Sequence, residues 1–514
     1  MKLSIQGVKL KRSISPKTEG RFESRVPPYR YQNDSEEKMQ HPIAASWLSS
    51  FVVLTLGFAA SASTLDSSLY PLTVHYEEEA QAVYARSVLS AVEDAWSFQV
   101  DEMGFPAPPA DSGLYGSDRY DVFVAEDPYG SRCHREAPAA DRPYGFTSSM
   151  IVDPIQIPVW ALGLVLSHEF HHAVQAGIRP MGDNVMEGGA VYVSGMHRPD
   201  EAYILSYSLG INAFQEHPER SLDWQGALGD YYPYGAALFF IFLDEVYGDP
   251  KTLAIYKSMW DLLGVSDTLT YSDALSELVD FDSAAAKFSR WRYFVGPEDD
   301  GFHFEDLANW TIAGYDQDLT SVALAADLKS ENLPVNDSIL SRQGPMPYGT
   351  VYLRLSLVGL NADDAISISV FGDPATRWRL ETLRLKSGRA PDESDLQVDA
   401  SGQTAVTVGV DDYSTLVVAV QNVGDGTYVP GPNGSGWDPS ALTYALRVMH
   451  PTESEESNSG CQSAGHPLTS ALASLAVWGA LVCWRRRPGS RRQTNDQSTT
   501  PVEIPCSVPQ ERQD

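Results

Sequence analysis

The run from Val159 to Val174 constrains the fold more than any other stretch, because it is strongly apolar and yet carries chemically reactive side chains. Such a run predicts a buried helix. Pro158 marks its start and Gly177 its end, as helix start and stop signals should. Polar groups inside a buried helix need a partner or a metal. The main interruptions of the apolar run are Ser167, His168, Glu169 and His171.

Two of the histidines in this run have the spacing of metal ligands. His168 and His172 are four residues apart, so on a helix they lie on one face and can share one metal ion. Glu169 is close enough to handle the proton of a water held by that metal. Glu187 follows at a distance suited to a third ligand, which would leave a fourth position open. The pattern predicts a catalytic Zn²⁺ site.

The two motifs together resemble a known enzyme family. The H-E-x-x-H at 168–172 followed by E-G-x-A at 187–190 is similar to the gluzincin branch of the zincin metallopeptidases. The resemblance covers roughly residues 115–295 and implies that the third ligand, Glu187, lies on the helix after the active-site helix. The metzincin branch needs Gly at position 175 and His at 178, where this chain has Gln175 and Ile178.

Three further groups are candidates for a role at this site. Gluzincin-like families often carry Tyr-x-x-Gly before a buried helix, and residues 232–235 (YPYG) match, which favours Tyr232 first and Tyr234 second as an oxyanion donor. Aromatic packing is the alternative for each tyrosine. His197 is a substitute ligand, a transition-state donor or a structural residue. Cys133 beside His134 is a metal or nucleophilic pair, or a simple loop feature.

Composition excludes some functions. The formal net charge is −31, and the acidic residues are concentrated in the middle of the chain, so binding to nucleic acid is not expected. The acidity is explained by solubility outside the cell. Cys133 stands alone between residue 63 and Cys461, so no internal disulfide framework is expected.

The expected fold class is α+β. A zincin-like domain, mostly helical with a small sheet, precedes an all-β sandwich and a C-terminal transmembrane segment. A packing helix is predicted over 75–100, and strands over 120–124 and 148–157. In zincins the strand ahead of the active helix lies at the sheet edge and binds extended substrate, and the resemblance implies that role for 148–157. Sandwich strands are predicted at 351–357, 365–371, 378–385, 404–410, 415–420 and 444–448.

The ends of the chain indicate export and surface attachment. An apolar run ends in the small residues 60–62, which are typical of a cleaved signal peptide. Cys461, a short apolar helix and three arginines resemble the myxobacterial C-terminal sorting tags (MYXO-CTERM), whose presence implies display at the cell surface. A plain C-terminal anchor is the alternative. The predicted segments are 1–38 (uncertain), 39–62 (signal peptide), 63–335 (zincin-like), 336–450 (sandwich), 451–466 (linker), 467–487 (anchor or tag) and 488–514 (polar tail).

The sequence therefore predicts a secreted, surface-anchored or released zinc metallopeptidase that resembles a myxobacterial family of surface metalloproteases. It would act on protein or peptide substrates as a monomer, with Glu169 as general base. The alternatives are a catalytically idle adhesin on a zincin scaffold and a hydrolase of esters or glycan-linked amides. Cleavage preference, any propeptide, calcium sites, the role of the sandwich and the choice between Met1 and Met39 as start stay open.

Overall fold

The computed structural model is α+β, as predicted, with a helix-rich first part and a strand-rich second part. Within the described ranges no helix is both long enough and apolar enough to cross a membrane. The predicted signal peptide, linker, anchor and tail lie outside those ranges. The structure describes residues 63–128, 130–201, 207–222, 231–304, 319–333, 345–371, 377–396, 403–423 and 445–449.

The helix-rich part contains the first five strands and all the helices described, and the strand-rich part contains the later strands. The first strands are β1 (Ser63–Asp66), β2 (Leu72–Tyr76), β3 (Tyr120–Val124), β4 (Arg132–Pro138) and β5 (Phe146–Val152). The helices are α1 (Ala82–Trp96), α2 (Leu162–Ile178), α3 (Asp183–His197), α4 (Tyr207–Glu216), α5 (Tyr232–Gly235), α6 (Ala237–Tyr247), α7 (Ala254–Leu263), α8 (Tyr271–Ser276) and α9 (Phe281–Tyr293). The later strands are β6 (Leu324–Lys329), β7 (Thr350–Ser356), β8 (Ala365–Phe371), β9 (Trp378–Leu385), β10 (Asp392–Leu396), β11 (Gln403–Gly409), β12 (Thr415–Asn422) and β13 (Ala445–Met449).

The first sheet has the strand order β1-β2-β3-β5-β4. Strands β2, β3 and β5 are parallel, while β1 and β4 are antiparallel and form the two edges. The prediction that the strand within 148–157 lies at the sheet edge is therefore wrong. Strand β5 pairs with β3 on one side and with β4 on the other, and β4 is the edge strand. Pro154 lies after β5 in a turn, in which the Asp153 Oδ1 accepts the N–H of Ile155 at 2.8 Å.

Helix α1 packs against β2 and α2 and so fixes the back of the active helix. Its buried face is made of small and branched side chains, including Ala85, Val88 and Val92. The predicted helix over 75–100 started too early, since residues 75 and 76 belong to β2.

On its other side, α2 packs against α3, and α3 in turn packs against α5 and α6. Helix α6 is buried along most of its length, from Ala237 to Asp244. Helices α7, α8 and α9 follow it along the chain. Together these helices form the second wall around the histidine face of α2.

The strand-rich part contains one sheet of order β10-β9-β12-β7-β6 and another of order β11-β8-β13. Both sheets contribute to one hydrophobic core, with Leu353 and Val418 from the first sheet and Ile366 and Ile368 from the second. The predicted strands all correspond to observed ones. Strand β6 precedes the predicted boundary at 335/336, yet it pairs in parallel with β7.

The strand-rich part is docked on α9 through buried polar contacts. The Tyr352 hydroxyl donates to the carbonyl oxygen of Ser289 at 2.6 Å. Arg290 pairs with Glu381 at 2.7 Å and with Glu393 at 3.0 Å, and the side chains of Arg290 and Glu381 are buried. Such a pair is sensitive to loss of one partner, because the other charge then stays in a poorly solvated place.

We expect Glu381→Gln to lower the free energy of unfolding by about 3 kcal/mol, because it removes one of two carboxylates that neutralise buried Arg290. Urea unfolding of the full chain measures this. Asp261→Asn is the matched control, since Asp261 pairs with Lys257 at the surface, and it should change stability by less than about 1 kcal/mol. Equal effects of the two substitutions would contradict the proposed importance of the Arg290–Glu381 pair.

Candidate metal centre

Two imidazoles meet on the inner face of α2. The Nε2 atoms of His168 and His172 are 3.1 Å apart, and their rings lie at 89° to one another. Helix α2 begins at Leu162, after a 3₁₀ turn at Val159–Ala161 that directly follows the predicted start at Pro158. One turn of helix thus separates the two rings along its axis and brings them together at their tips.

The end of α2 differs from the prediction. Gly177 does not end the helix, which continues to Ile178. Its lack of a side chain serves packing, since a Cβ at this position would lie 2.6 Å from the Cδ of Pro109. The carbonyl oxygen of Gly177 accepts a hydrogen bond from Arg142 at 3.2 Å, which satisfies one of the last carbonyls of the helix.

Glu187 reaches the two imidazoles from α3. Its Oε2 lies 3.3 Å from the Nε2 of His168 and 3.3 Å from the Nε2 of His172. The three ligand atoms form a triangle with edges of 3.1, 3.3 and 3.3 Å. Four ligands placed about 2.0–2.1 Å from a tetrahedral zinc ion are about 3.3 Å apart, so this triangle fits three of the four positions.

The chemistry of the donor set also fits zinc. Two imidazole nitrogens and one carboxylate oxygen are a usual set for a catalytic zinc site, which keeps one position open. Among the residues that the structure describes, His168, His172 and Glu187 are the group of three whose ligand atoms could hold one metal ion. We call these three residues the ligand triangle.

The ligand triangle is electrostatically coupled. Burial acts against a positive charge on His172, but the neighbouring Glu187 outweighs it and raises the pKa of His172 to about 9. Burial likewise acts against a negative charge on Glu187, but His172 and His168 lower the pKa of this carboxyl well below its usual range. The carboxylate therefore stays ionised, as a metal ligand must.

Glu169 projects from α2 beside the ligand triangle and is held by the sheet. Its Oε2 accepts the backbone N–H of Cys133 at 2.8 Å, and Cys133 lies on the edge strand β4. Burial raises the pKa of Glu169, although His168 and His172 act in the opposite direction. An oriented carboxylate with a raised pKa is suited to accept and return a proton.

The Cys133–His134 pair does not form a site in the structure. Burial raises the pKa of the Cys133 thiol to about 12, so the reactive thiolate is disfavoured. His134 is the next residue on β4, and alternate strand residues point to opposite faces. Neither residue belongs to the ligand triangle.

The structure places Tyr234, and not Tyr232, next to the ligand triangle. The ring of Tyr234 stacks on the ring of His168, with centroids 5.8 Å apart and planes at 5°. Burial, together with the Glu187 and Glu169 carboxylates, raises the pKa of Tyr234, so its hydroxyl keeps its proton. Tyr232 is fully buried elsewhere, and its hydroxyl donates to the carbonyl oxygens of Arg220 and Ser221 at 3.1 and 3.3 Å. Residues that are two positions apart on a helix, such as Tyr232 and Tyr234, project in nearly opposite directions.

His197, the alternative ligand, lies behind α2. Its Nδ1 is 2.9 Å from the Oγ of Ser167, and its Nε2 is 3.0 Å from the Oδ2 of Asp94. Burial lowers the pKa of His197 to about 4 even though Asp94 opposes this. With both ring nitrogens occupied, His197 has a structural place.

Sequence reasoning missed the polar residues that support the ligands from behind. His171 and Gln175 are fully buried on α2, and Gln99 and Tyr256 meet them there. The sequence carried one indication of these residues: His171 and Gln175 are polar residues of a buried helix, and neither has a role in the H-E-x-x-H motif. Their partners come from distant segments, so the sequence did not identify them.

Comparisons with known proteins found similar chains among the solved structures. No protein-family model and no curated protein matches the sequence. One similar solved structure is CorA, a surface-associated copper-binding protein of Methylomicrobium album BG8, with 11% identity and a TM-score of 0.17, covering 25% of this chain and 99% of that one. Another contains the M60 catalytic domain of Clostridium perfringens ZmpB with two CBM51 domains, with 11% identity and a TM-score of 0.25, covering 76% of this chain and 60% of that one.

Proposed function

We propose that this protein is a zinc-dependent metallopeptidase of the zincin type. The observation that carries the proposal is the ligand triangle, with edges of 3.1–3.3 Å and Glu169 beside it. A triangle of these dimensions fits zinc, and a neighbouring carboxylate supplies the base that peptide hydrolysis needs. We also propose that the helix-rich part is a zincin-like domain and that the strand-rich part is a β-sandwich.

The residues of the site divide the chemistry among them. His168, His172 and Glu187 would hold the metal. A zinc ion in such a site supplies Lewis-acid chemistry, which polarises a carbonyl group and lowers the pKa of a coordinated water to about 7. Glu169 takes the proton of the attacking water and passes it to the leaving amine. The Tyr234 hydroxyl donates to the substrate oxygen as negative charge develops on it.

The substrate is proposed to lie along β4. This strand is one of the two edges of the first sheet, the one next to β5, and its Cys133 N–H donates to the Glu169 carboxylate. A peptide that added to this edge as a further strand would satisfy its unpaired backbone groups and pass next to Glu169. We propose this role for β4 in place of the role first predicted for 148–157.

The proposed setting is outside the cell. The signal peptide predicted at 39–62 and the anchor or sorting tag predicted at 467–487 support this proposal, with export followed by surface display or release. The net charge of −31 argues against a nucleic-acid partner. We propose a protein or peptide substrate and a monomeric enzyme.

The test is metal analysis and a peptide-library digest of the full mature chain. We expect about one zinc ion per chain and peptide cleavage that a chelator abolishes and added zinc restores. Zinc binding without any cleavage would favour the idle adhesin. Absence of zinc binding would overturn the metal centre itself.

Tyr234→Phe is expected to lower kcat about 100-fold with little change in KM or zinc content, because it removes one donor to the developing oxyanion. Steady-state kinetics on a cleaved peptide measures this. Tyr232→Phe is the matched control, and it should lower stability without changing kcat, because its hydroxyl binds two backbone carbonyls away from the metal centre. A loss of kcat in Tyr232→Phe alone would reverse the assignment.

A further inference from the structure

The face of α2 opposite the substrate side carries polar groups that the proposed reaction does not use. His171 and Gln175 are fully buried there. A buried polar group without a partner destabilises the fold, so partners are expected. The partners found form one continuous chain of hydrogen bonds that ends on His172.

Gln175 links the two helices that supply the ligand triangle. Its Oε1 lies 2.9 Å from the Nδ1 of His172 on α2. Its Nε2 donates to the carbonyl oxygen of Met186 at 3.0 Å, and Met186 immediately precedes Glu187 on α3. One side chain therefore contacts a ligand of the metal and the backbone next to another ligand.

The direction of these hydrogen bonds determines the tautomer of His172. A backbone carbonyl can only accept, so the amide nitrogen of Gln175 must face Met186 and the amide oxygen must face His172. The Nδ1 of His172 then carries the proton that Gln175 accepts. When the ring is neutral, as it must be to bind a metal, the Nε2 of His172 then carries the lone pair, directed at the ligand triangle.

A second set of contacts fixes Gln175 itself. Its Nε2 also lies 3.1 Å from the Tyr256 hydroxyl, which lies 2.9 Å from the Nε2 of His171. The Nδ1 of His171 is 3.0 Å from the Oε1 of Gln99, and Gln99 donates to the carbonyl oxygen of Ser167 at 2.7 Å. The Ser167 carbonyl sets the direction at this end, and every donor along the chain then meets an acceptor.

The backbone makes room for this chain at two unusual places. A Cβ at Gly189 would lie 2.0 Å from the Tyr256 hydroxyl and 3.0 Å from the Nε2 of Gln175. Glycine within a helix costs about 1 kcal/mol relative to alanine, so the close approach explains its presence. Gln99 lies on a π-helical turn, Ser97–Glu102, of a type that is rare and frequent at functional sites.

We propose that Gln175 is a positioning residue of the metal centre. It holds His172 in the metal-binding tautomer and holds the Glu187 segment at ligand distance, while Tyr256, His171 and Gln99 keep its amide in place. This inference rests on the proposed zinc site. It predicts that zinc affinity depends on side chains that never touch the metal.

The test measures the zinc dissociation constant of full-length variants by competition with a chelator. Gln175→Leu keeps the side-chain size and removes both hydrogen-bonding functions, and we expect a 10- to 100-fold weaker affinity. Gln175→Glu restores the acceptor for His172 and should bind zinc more tightly than Gln175→Leu. If the two variants bind equally weakly, Gln175 does not act through the His172 tautomer.

Tyr256→Phe removes a single oxygen and keeps the proposal testable if Gln175→Leu fails to fold. We expect an affinity several-fold weaker than that of the wild type. Tyr192→Phe is the matched control. Tyr192 is an equally buried tyrosine, but its hydroxyl donates to Asp244, which does not belong to the chain of hydrogen bonds that ends on His172. The zinc affinity of Tyr192→Phe should equal that of the wild type. If Tyr192→Phe and Tyr256→Phe lost the same zinc affinity, the loss would come from general destabilisation and not from the hydrogen bond to Gln175.

The ¹⁵N chemical shifts of the His172 ring nitrogens provide a further test, because they would not change if Gln175 only stabilised the fold. We expect a single Nδ1–H tautomer in the metal-free wild type at a pH above the His172 titration, and a mixture in Gln175→Leu. A wild type that binds no zinc overturns the proposed function. A wild type that binds zinc with Gln175→Leu equally tight overturns only the positioning role.

Discussion

Glu169→Gln is expected to lower kcat/KM by about 1000-fold or more while zinc content stays at the wild-type level. The amide cannot accept the proton of the attacking water, and general acid–base catalysis contributes about 10²- to 10⁴-fold. The metal remains because the ligand triangle does not include Glu169. The measurements are peptide hydrolysis and zinc analysis on the same preparation.

The matched control for this variant is Asp244→Asn. Asp244 is also a buried carboxyl, and burial raises its pKa to about 6, but it binds Tyr192 and the backbone of Ile255 away from the metal centre. It should keep kcat/KM within a few-fold of the wild type. A Glu169→Gln enzyme with normal kcat/KM would remove Glu169 from its role as base.

The parts of the site that the sequence predicted depend on local geometry. The distance between His168 and His172 follows from helical repeat alone, so once α2 is helical the two rings must converge. Glu187 was predicted by resemblance, and the structure places its carboxylate within 3.3 Å of both rings. The helical repeat and the short distance along the sequence to Glu187 were therefore enough to predict the ligand triangle.

The parts that the sequence did not predict depend on contacts between distant segments. His171 meets Gln99 and Tyr256 across 72 and 85 residues, and no local pattern encodes such pairings. The order of strands in the first sheet is another case. The sequence predicts that 148–157 contains a strand, but only the pairing of β4 with β5 shows which strand is left at the edge.

The sequence could not tell whether Tyr232 or Tyr234 lies next to the ligand triangle, for a related reason. Both fit the Tyr-x-x-Gly neighbourhood, and which one faces the metal centre depends on the rotation of the short helix α5. That rotation is set by packing of α5 against α3 and α4. A motif gives the position along the chain, whereas the direction of a side chain is a property of the packed structure.

Glu187→Ala is expected to weaken zinc binding by about 100- to 1000-fold and to abolish peptide hydrolysis at low free zinc. Structural zinc sites yield about 10–16 kcal/mol from four ligands, so one ligand corresponds to about 3 kcal/mol. Glu187 also neutralises His172, whose pKa it raises to about 9, so the variant loses a carboxylate that both imidazoles face. Asp183→Ala is the matched control, an exposed carboxylate one turn earlier on α3 that lies outside the ligand triangle. If Glu187→Ala held zinc as tightly as Asp183→Ala, the third position of the ligand triangle would have to be filled by another residue, and the proposed metal centre would be wrong in its composition.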